Sequence, residues 1–128
     1  DALGPVAGHR FKGYRLDASG RPTFTWRWGE RDVQDAVVPV QVAAAGGGSG
    51  LRRIITVSGP PLPAAAVRVA SGKTIEDLGQ GWHWVDKSWR VRVGSGEVIR
   101  READGMVELR VPLAWKDGRA VVEEELAW

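Results

Sequence analysis

The sequence predicts an all-β domain, an antiparallel β-sandwich of about nine to eleven short strands with no significant helix. Three observations predict it. Apolar residues recur at every second position over short runs, and nowhere at the spacing of an amphipathic helix. Turn signals built on Gly, Asp, Ser and Pro interrupt these runs at intervals of about 8–12 residues. The composition agrees, since 17 glycines, one Met and seven Trp against two Phe and one Tyr favour turns and pleated surfaces. No repeat of fixed period is present, which argues against a propeller or solenoid.

Residues 1–9 are a lead-in without pattern. Gly8 to Gly29 reads as two strands joined by a turn at Asp17-Ala18-Ser19-Gly20, which starts with an Asx residue and ends with a Gly able to take positive φ. The return strand alternates, with Phe24, Trp26 and Trp28 on one face and Thr23, Thr25 and Arg27 on the other. Three large aromatics on one side of a short strand require a facing sheet. Gly29 to Asp32 is a second tight turn, and in the following strand, 33–42, Pro39 predicts an edge position or a bulge. Ala43 to Gly50 is of low complexity and predicts a flexible loop. A phosphate-cradling loop would carry Lys-Ser or Lys-Thr and then a helix, whereas the strand Leu51 to Val57 follows here.

Ser58 to Pro63 is a Pro-rich turn. Ala64 to Ala70 alternates weakly as a strand, turned by Ser71-Gly72-Lys73. Thr74 to Asp77 is a short strand, 78–81 a loop, Trp82 to Val85 a strand, and Asp86-Lys87-Ser88 a turn. The clearest strand is Trp89 to Val93, whose Trp and two Val point one way and Arg90 and Arg92 the other. Gly94-Ser95-Gly96 closes it. Glu97 to Arg101 pairs across Ala103-Asp104-Gly105 with Val107 to Leu113. Lys116 to Arg119 is a hairpin turn of the Asp-Gly kind. In the last strand, Ala120 to Trp128, residues Val122, Glu124, Leu126 and Trp128 share a face.

A chain of 128 residues is read as one domain, 1–128, able to bury a core without staples. Its start at Asp fits a processed exported protein or a segment of a longer polypeptide. The absence of cysteine excludes disulfides, thiolate metal sites and covalent haem attachment within this chain. The net charge is only +2, with arginines spread along the strands, which disfavours nucleic acid as a partner. No apolar run reaches the ~18 residues of a membrane span.

Chemistry-bearing residues are sparse. There are two histidines, His9 and His83, and His83 alternates away from Trp82 and Trp84. Asp17, Asp86, Asp104 and Asp117 sit at turns, where their side chains bond the backbone. Glu124 falls on an apolar face, where it either pairs with an inward arginine such as Arg53 or lies at the sheet edge. No Ser occupies a nucleophile elbow and no acidic run suits calcium. No catalytic residue, metal site or resident cofactor is assigned, and the chain is read as non-catalytic.

Tryptophan is the informative residue. A domain of this size buries about three or four of its seven. Trp26, Trp89 and Trp128 are expected in the core, and Trp82, Trp84 and Trp115 partly exposed. With Arg90 and Arg92, the latter three form the candidate ligand- or partner-binding set. Exposed aromatics on a sandwich anchor protein interfaces or stack on sugar faces. The first use makes the chain an interaction module; the second, the alternative, makes it a carbohydrate-binding module for polysaccharide. An unpaired edge near Pro39 would also allow assembly into oligomers.

Arg10-Phe11-Lys12-Gly13-Tyr14-Arg15-Leu16-Asp17, followed by Gly20-Arg21-Pro22-Thr23-Phe24, resembles the opening hairpin of an accessory β-rich domain in large exported bacterial proteins. Those proteins combine c-type cytochrome domains with sugar-dehydrogenase-like propeller domains. Three later segments follow in the same order, namely Leu51-Arg52-Arg53, the stretch from Gly81-Trp82 to Val93, and the closing Val111-Pro112-Leu113 with Lys116-Asp117-Gly118 through Trp128. The resemblance implies a periplasmic or extracellular location and haem- or propeller-containing partner domains. It carries no catalytic residues.

Overall fold

Valine and isoleucine at alternate positions favour pleated backbone because their branched side chains pack well on it. The computed structural model describes residues 2–3, 9–16, 18, 20–41, 49–94 and 97–128. The strands are β1 (Ala2–Leu3), β2 (His9–Leu16), β3 (Pro22–Trp28), β4 (Arg31–Gln41), β5 (Ser49–Ser58) and β6 (Ala66–Gly72). They continue as β7 (Ile75–Gly79), β8 (Trp82–Val85), β9 (Trp89–Val93), β10 (Ile99–Ala103), β11 (Met106–Pro112) and β12 (Arg119–Ala127). Among the described residues there is no helix, and so none long and apolar enough to cross a membrane.

The strands form two sheets, as a sandwich requires. The large sheet runs β2-β3-β4-β5-β12-β9-β8-β7 and the small one β1-β6-β11-β10. From β3 onward ten strands divide seven and three, and β2 and β1 each add an edge. Every pairing is antiparallel except that of β1 with β6. The twelfth strand, beyond the nine to eleven expected, is accounted for by two-residue β1 in the patternless lead-in. Of the expected turn at 17–20, loop at 43–50 and closure at 94–96, residues 17, 19, 43–48 and 95–96 lie outside the described residues, as does residue 42 at the end of the strand expected before the loop, while Ser49 and Gly50 belong to β5.

The core fills the space between the sheets. Val33, Ile55, Val57, Ile75, Val85, Val91, Ala120 and Val122 come from the large sheet, and Val67, Val69, Ala70, Val107, Leu109 and Val111 from the small one. The weak alternation of Ala64 to Ala70 has a structural cause. The β6–β11 register slips between Leu109 and Arg110, a bulge that leaves adjacent Val69 and Ala70 both buried. The Asp-Gly turns form as expected: Asp104 and Gly105, and Asp117 and Gly118, all have positive φ, the twist that suits a tight hairpin.

Three expectations are corrected. First, β4 is an interior strand rather than an edge strand and carries no bulge against β5, which it pairs without a slip from Asp32 to Gln41, so the edge expected at Pro39 is only local. Proline is tolerated because β3 pairs β4 only as far as Ala36, so one flank of β4 is locally unpaired at Pro39. Second, Ser71 and Gly72 continue β6 and Ala103 ends β10, rather than turning. Third, Trp26 and Trp128 are not core residues, being 37% and 65% exposed. Eight strands span about 34 Å and four about 14 Å, so the small sheet cannot cover the whole inner face. Trp89 and Trp28 do pack against the core.

The β6–β7 turn depends on one acid. Asp86 Oδ1 accepts from the backbone N–H groups of Lys73 (2.8 Å) and Thr74 (2.9 Å), while its own N–H donates to Thr74 O (2.8 Å). A Cβ at Gly72 would lie 2.7 Å from Asp86 Oδ2 and 2.9 Å from Val85 Cγ1. Gly72→Ala is therefore expected to destabilise the domain by about 1–3 kcal/mol, read from urea unfolding. An unchanged midpoint would show that the clamp does not hold this corner.

Candidate functional site

Parity along β8 and β9 decides which residues meet. Trp82 stands opposite Arg92 and Trp84 opposite Arg90, whereas His83 stands opposite core residue Val91. Trp82, Trp84, Arg90 and Arg92 therefore share the outer face of the large sheet, away from the small sheet. This brings together four of the five residues singled out from sequence. Trp115 lies elsewhere, between β11 and β12, packed against the core with its indole N–H donating to Leu62 O (3.3 Å).

Trp82 is not partly exposed as expected. It is 1% exposed, in a second apolar cluster with Ala127 and Val40. Gly50 stands between Val40 and Ala127 in the register and has no side chain to separate them. The Arg92 guanidinium carbon lies 5.0 Å from the Trp82 ring centroid and that of Arg90 lies 5.6 Å away. Each such contact contributes about 0.5–1 kcal/mol, because the cations meet the electron-rich ring face.

The face continues through two residues the sequence reading did not select. Glu125 stands opposite both Arg92 and Arg52. Its carboxylate accepts from Arg92 Nη2 (3.1 Å) and Arg52 Nη2 (3.4 Å). Alternation alone places Arg52 and Glu125 outward, but only the order β5-β12-β9 sets them beside Arg92. The result is a row of Trp84, Arg90, Trp82, Arg92, Glu125 and Arg52, in which guanidinium groups are held on a ring and a carboxylate.

Comparison with protein families, with curated proteins and with solved structures finds no match.

The opposite face carries a buried charged group. Glu124 is 1% exposed and pairs with Arg53, the first of the two placements the sequence leaves open. Arg53 Nη1 donates to Glu124 Oε1 (2.9 Å), while Nη2 and Nε donate to Asp35 Oδ2 (2.7 Å) and Oδ1 (3.3 Å). One cation thus serves two carboxylates. Desolvation would draw the proton from Arg53, but Asp35 and Glu124 outweigh it and raise its pKa. Burial pushes Glu124 up to about 7 against the pull of Arg53, and the Asp35 charge adds to the rise. Glu124 Oε2 has no hydrogen-bond partner among the described residues, which suits a carboxyl that takes up a proton. Among the described residues no three His, Cys, Asp or Glu side chains are grouped to hold a metal ion.

Proposed function

We propose that this domain is a non-catalytic interaction module of a larger exported redox protein, docking on a haem- or propeller-containing domain through the outer face of its large sheet. The observation that carries this reading is the row from Trp84 to Arg52, in which half-buried Trp84, Arg90 and Arg92 and exposed Arg52 are prearranged on a strand platform beside the buried Trp82 ring. Trp and Arg are the residues most often found at the energetic centre of protein interfaces, and preorganisation lowers the entropy lost on docking. The resemblance of the opening hairpin and the three later segments supports the choice of partner and a periplasmic or extracellular location.

The alternative, polysaccharide binding, retains Trp84 and loses Trp82, whose buried ring offers no face for a sugar. Trp84→Ala is expected to weaken binding to the cytochrome or propeller domain by about tenfold or more, measured by titration calorimetry, with little change in thermal midpoint. Equal affinity of variant and wild type would remove the proposal. Quenching of tryptophan fluorescence by an oligosaccharide, lost in the same variant, would instead establish the carbohydrate reading.

A further inference from the structure

The small sheet has its own outer face, unused by the reading above. Val107, Leu109 and Val111 point into the core, so Met106, Glu108 and Arg110 of β11 point outward. The register sets Arg101 of β10 opposite Glu108, Ala103 opposite Met106 and Ile99 opposite Arg110, while on the other side Arg68 of β6 faces Arg110. Arg101, Ala103, Met106, Glu108 and Arg110 line a shallow depression of about 130 Å³.

The charges in this depression do not cancel. Glu108 Oε2 accepts from Arg110 Nε (2.9 Å) and Oε1 from Arg68 Nη1 (3.3 Å). Both oxygens are thereby engaged, and Arg101 has no hydrogen-bond or ion-pair partner among the described residues. Glu102 lies on the other face and is taken by Arg100 at 3.3 Å. Asp104 sits in the turn at the end of the hairpin, beyond Ala103. Three guanidinium groups surround one carboxylate, and exposed Ile99 and Met106 flank them.

We propose that this depression binds a glutamate or aspartate side chain from an acidic segment of a partner protein. Arg101 takes the incoming carboxylate through two parallel N–H donors, and Ile99 and Met106 cover the apolar side chains beside it. Charge complementarity selects an acidic occupant. The central Glu108 repels a doubly charged phosphate more than a singly charged carboxylate, and three arginines clustered on neighbouring short strands form no track along a nucleic-acid backbone. Methionine adapts to varied apolar neighbours, which suits a site recognising a segment.

The test uses the whole chain and a labelled peptide of alternating Glu and Leu, with its Gln analogue, read by fluorescence anisotropy at about 50 mM salt. The Glu peptide is expected to bind at least about tenfold more tightly than the Gln peptide, and Arg101→Ala to remove that margin. Arg101→Lys should recover only part of it, since ammonium lacks the planar fork. Arg101 is exposed, so these variants retain the fold. Equal binding of the two peptides, an unaffected Arg101→Ala, or displacement by inorganic phosphate at lower concentration than by acetate would each overturn the proposal. Trp84→Ala should bind the peptide as wild type does, which separates this site from the docking face of the large sheet.

Discussion

Replacing Arg53 by Met is expected to destabilise the domain by about 3–5 kcal/mol, the cost of leaving a buried carboxylate without its cation. The geometry behind the number is specific. Arg53 is the shared donor for Asp35 and Glu124, and Glu124 has no other hydrogen-bond partner among the described residues. The double variant Arg53→Met, Glu124→Leu should recover most of the loss, because removing both partners leaves no orphaned charge at Glu124. If the single variant unfolds in urea at the wild-type midpoint, the ion pair contributes nothing to the fold.

The same cluster makes stability depend on pH in a direction opposite to that of most acids. The folded value of Glu124 stands near 7 against an ordinary 4.5, so between these values the folded chain holds a proton that the unfolded chain has released. Stability therefore falls as pH rises through that window, is unaffected by Glu124 below it, and levels off above it. The span corresponds to about 3 kcal/mol at most. The electrostatic reason is that one guanidinium cannot neutralise two carboxylates, so the triad stays net negative until Glu124 is protonated. Glu124→Gln should flatten this part of the profile, and the difference between wild-type and variant midpoints at pH 5 and pH 8 measures it. A difference independent of pH would contradict the assignment.

Trp82→Ala is the second large effect, about 3–5 kcal/mol. The ring is fully buried on a sheet face with no second sheet over it, packed with Ala127 and flanked by two arginines. Truncation removes the apolar contact and both cation–π contacts together. Trp82→Phe should cost much less, since the indole N–H has no hydrogen-bond partner to lose among the described residues. A loss below about 1 kcal/mol for the alanine variant would show that the ring is not a packing element. Because Trp82 is structural, docking is tested at Trp84, where binding and folding are separable.

The amino-acid sequence by itself determined the local grammar. Period two separated His83 from Trp82 and Trp84, and put Val122, Glu124 and Leu126 on one face of the final strand. It also offered Arg53 as one partner for Glu124, because a charge on an apolar strand face needs a counter-ion unless it lies at an edge. Asp-Gly dipeptides specified tight hairpins, since their backbone twist matches that of the strands they join.

Only the tertiary structure decided which faces are covered. Alternation states that Trp26 and Trp128 share an inner face with core residues, but the small sheet is too narrow to reach everything on that face. Conversely, Trp82 points away from the main core and is nevertheless buried by its neighbours on the outer face. The order β5-β12-β9, which sets Arg52, Glu125 and Arg92 side by side, joins strands distant in sequence. Pleating is a local property and is written residue by residue, whereas sheet width and strand order arise from long-range pairing that no short stretch encodes.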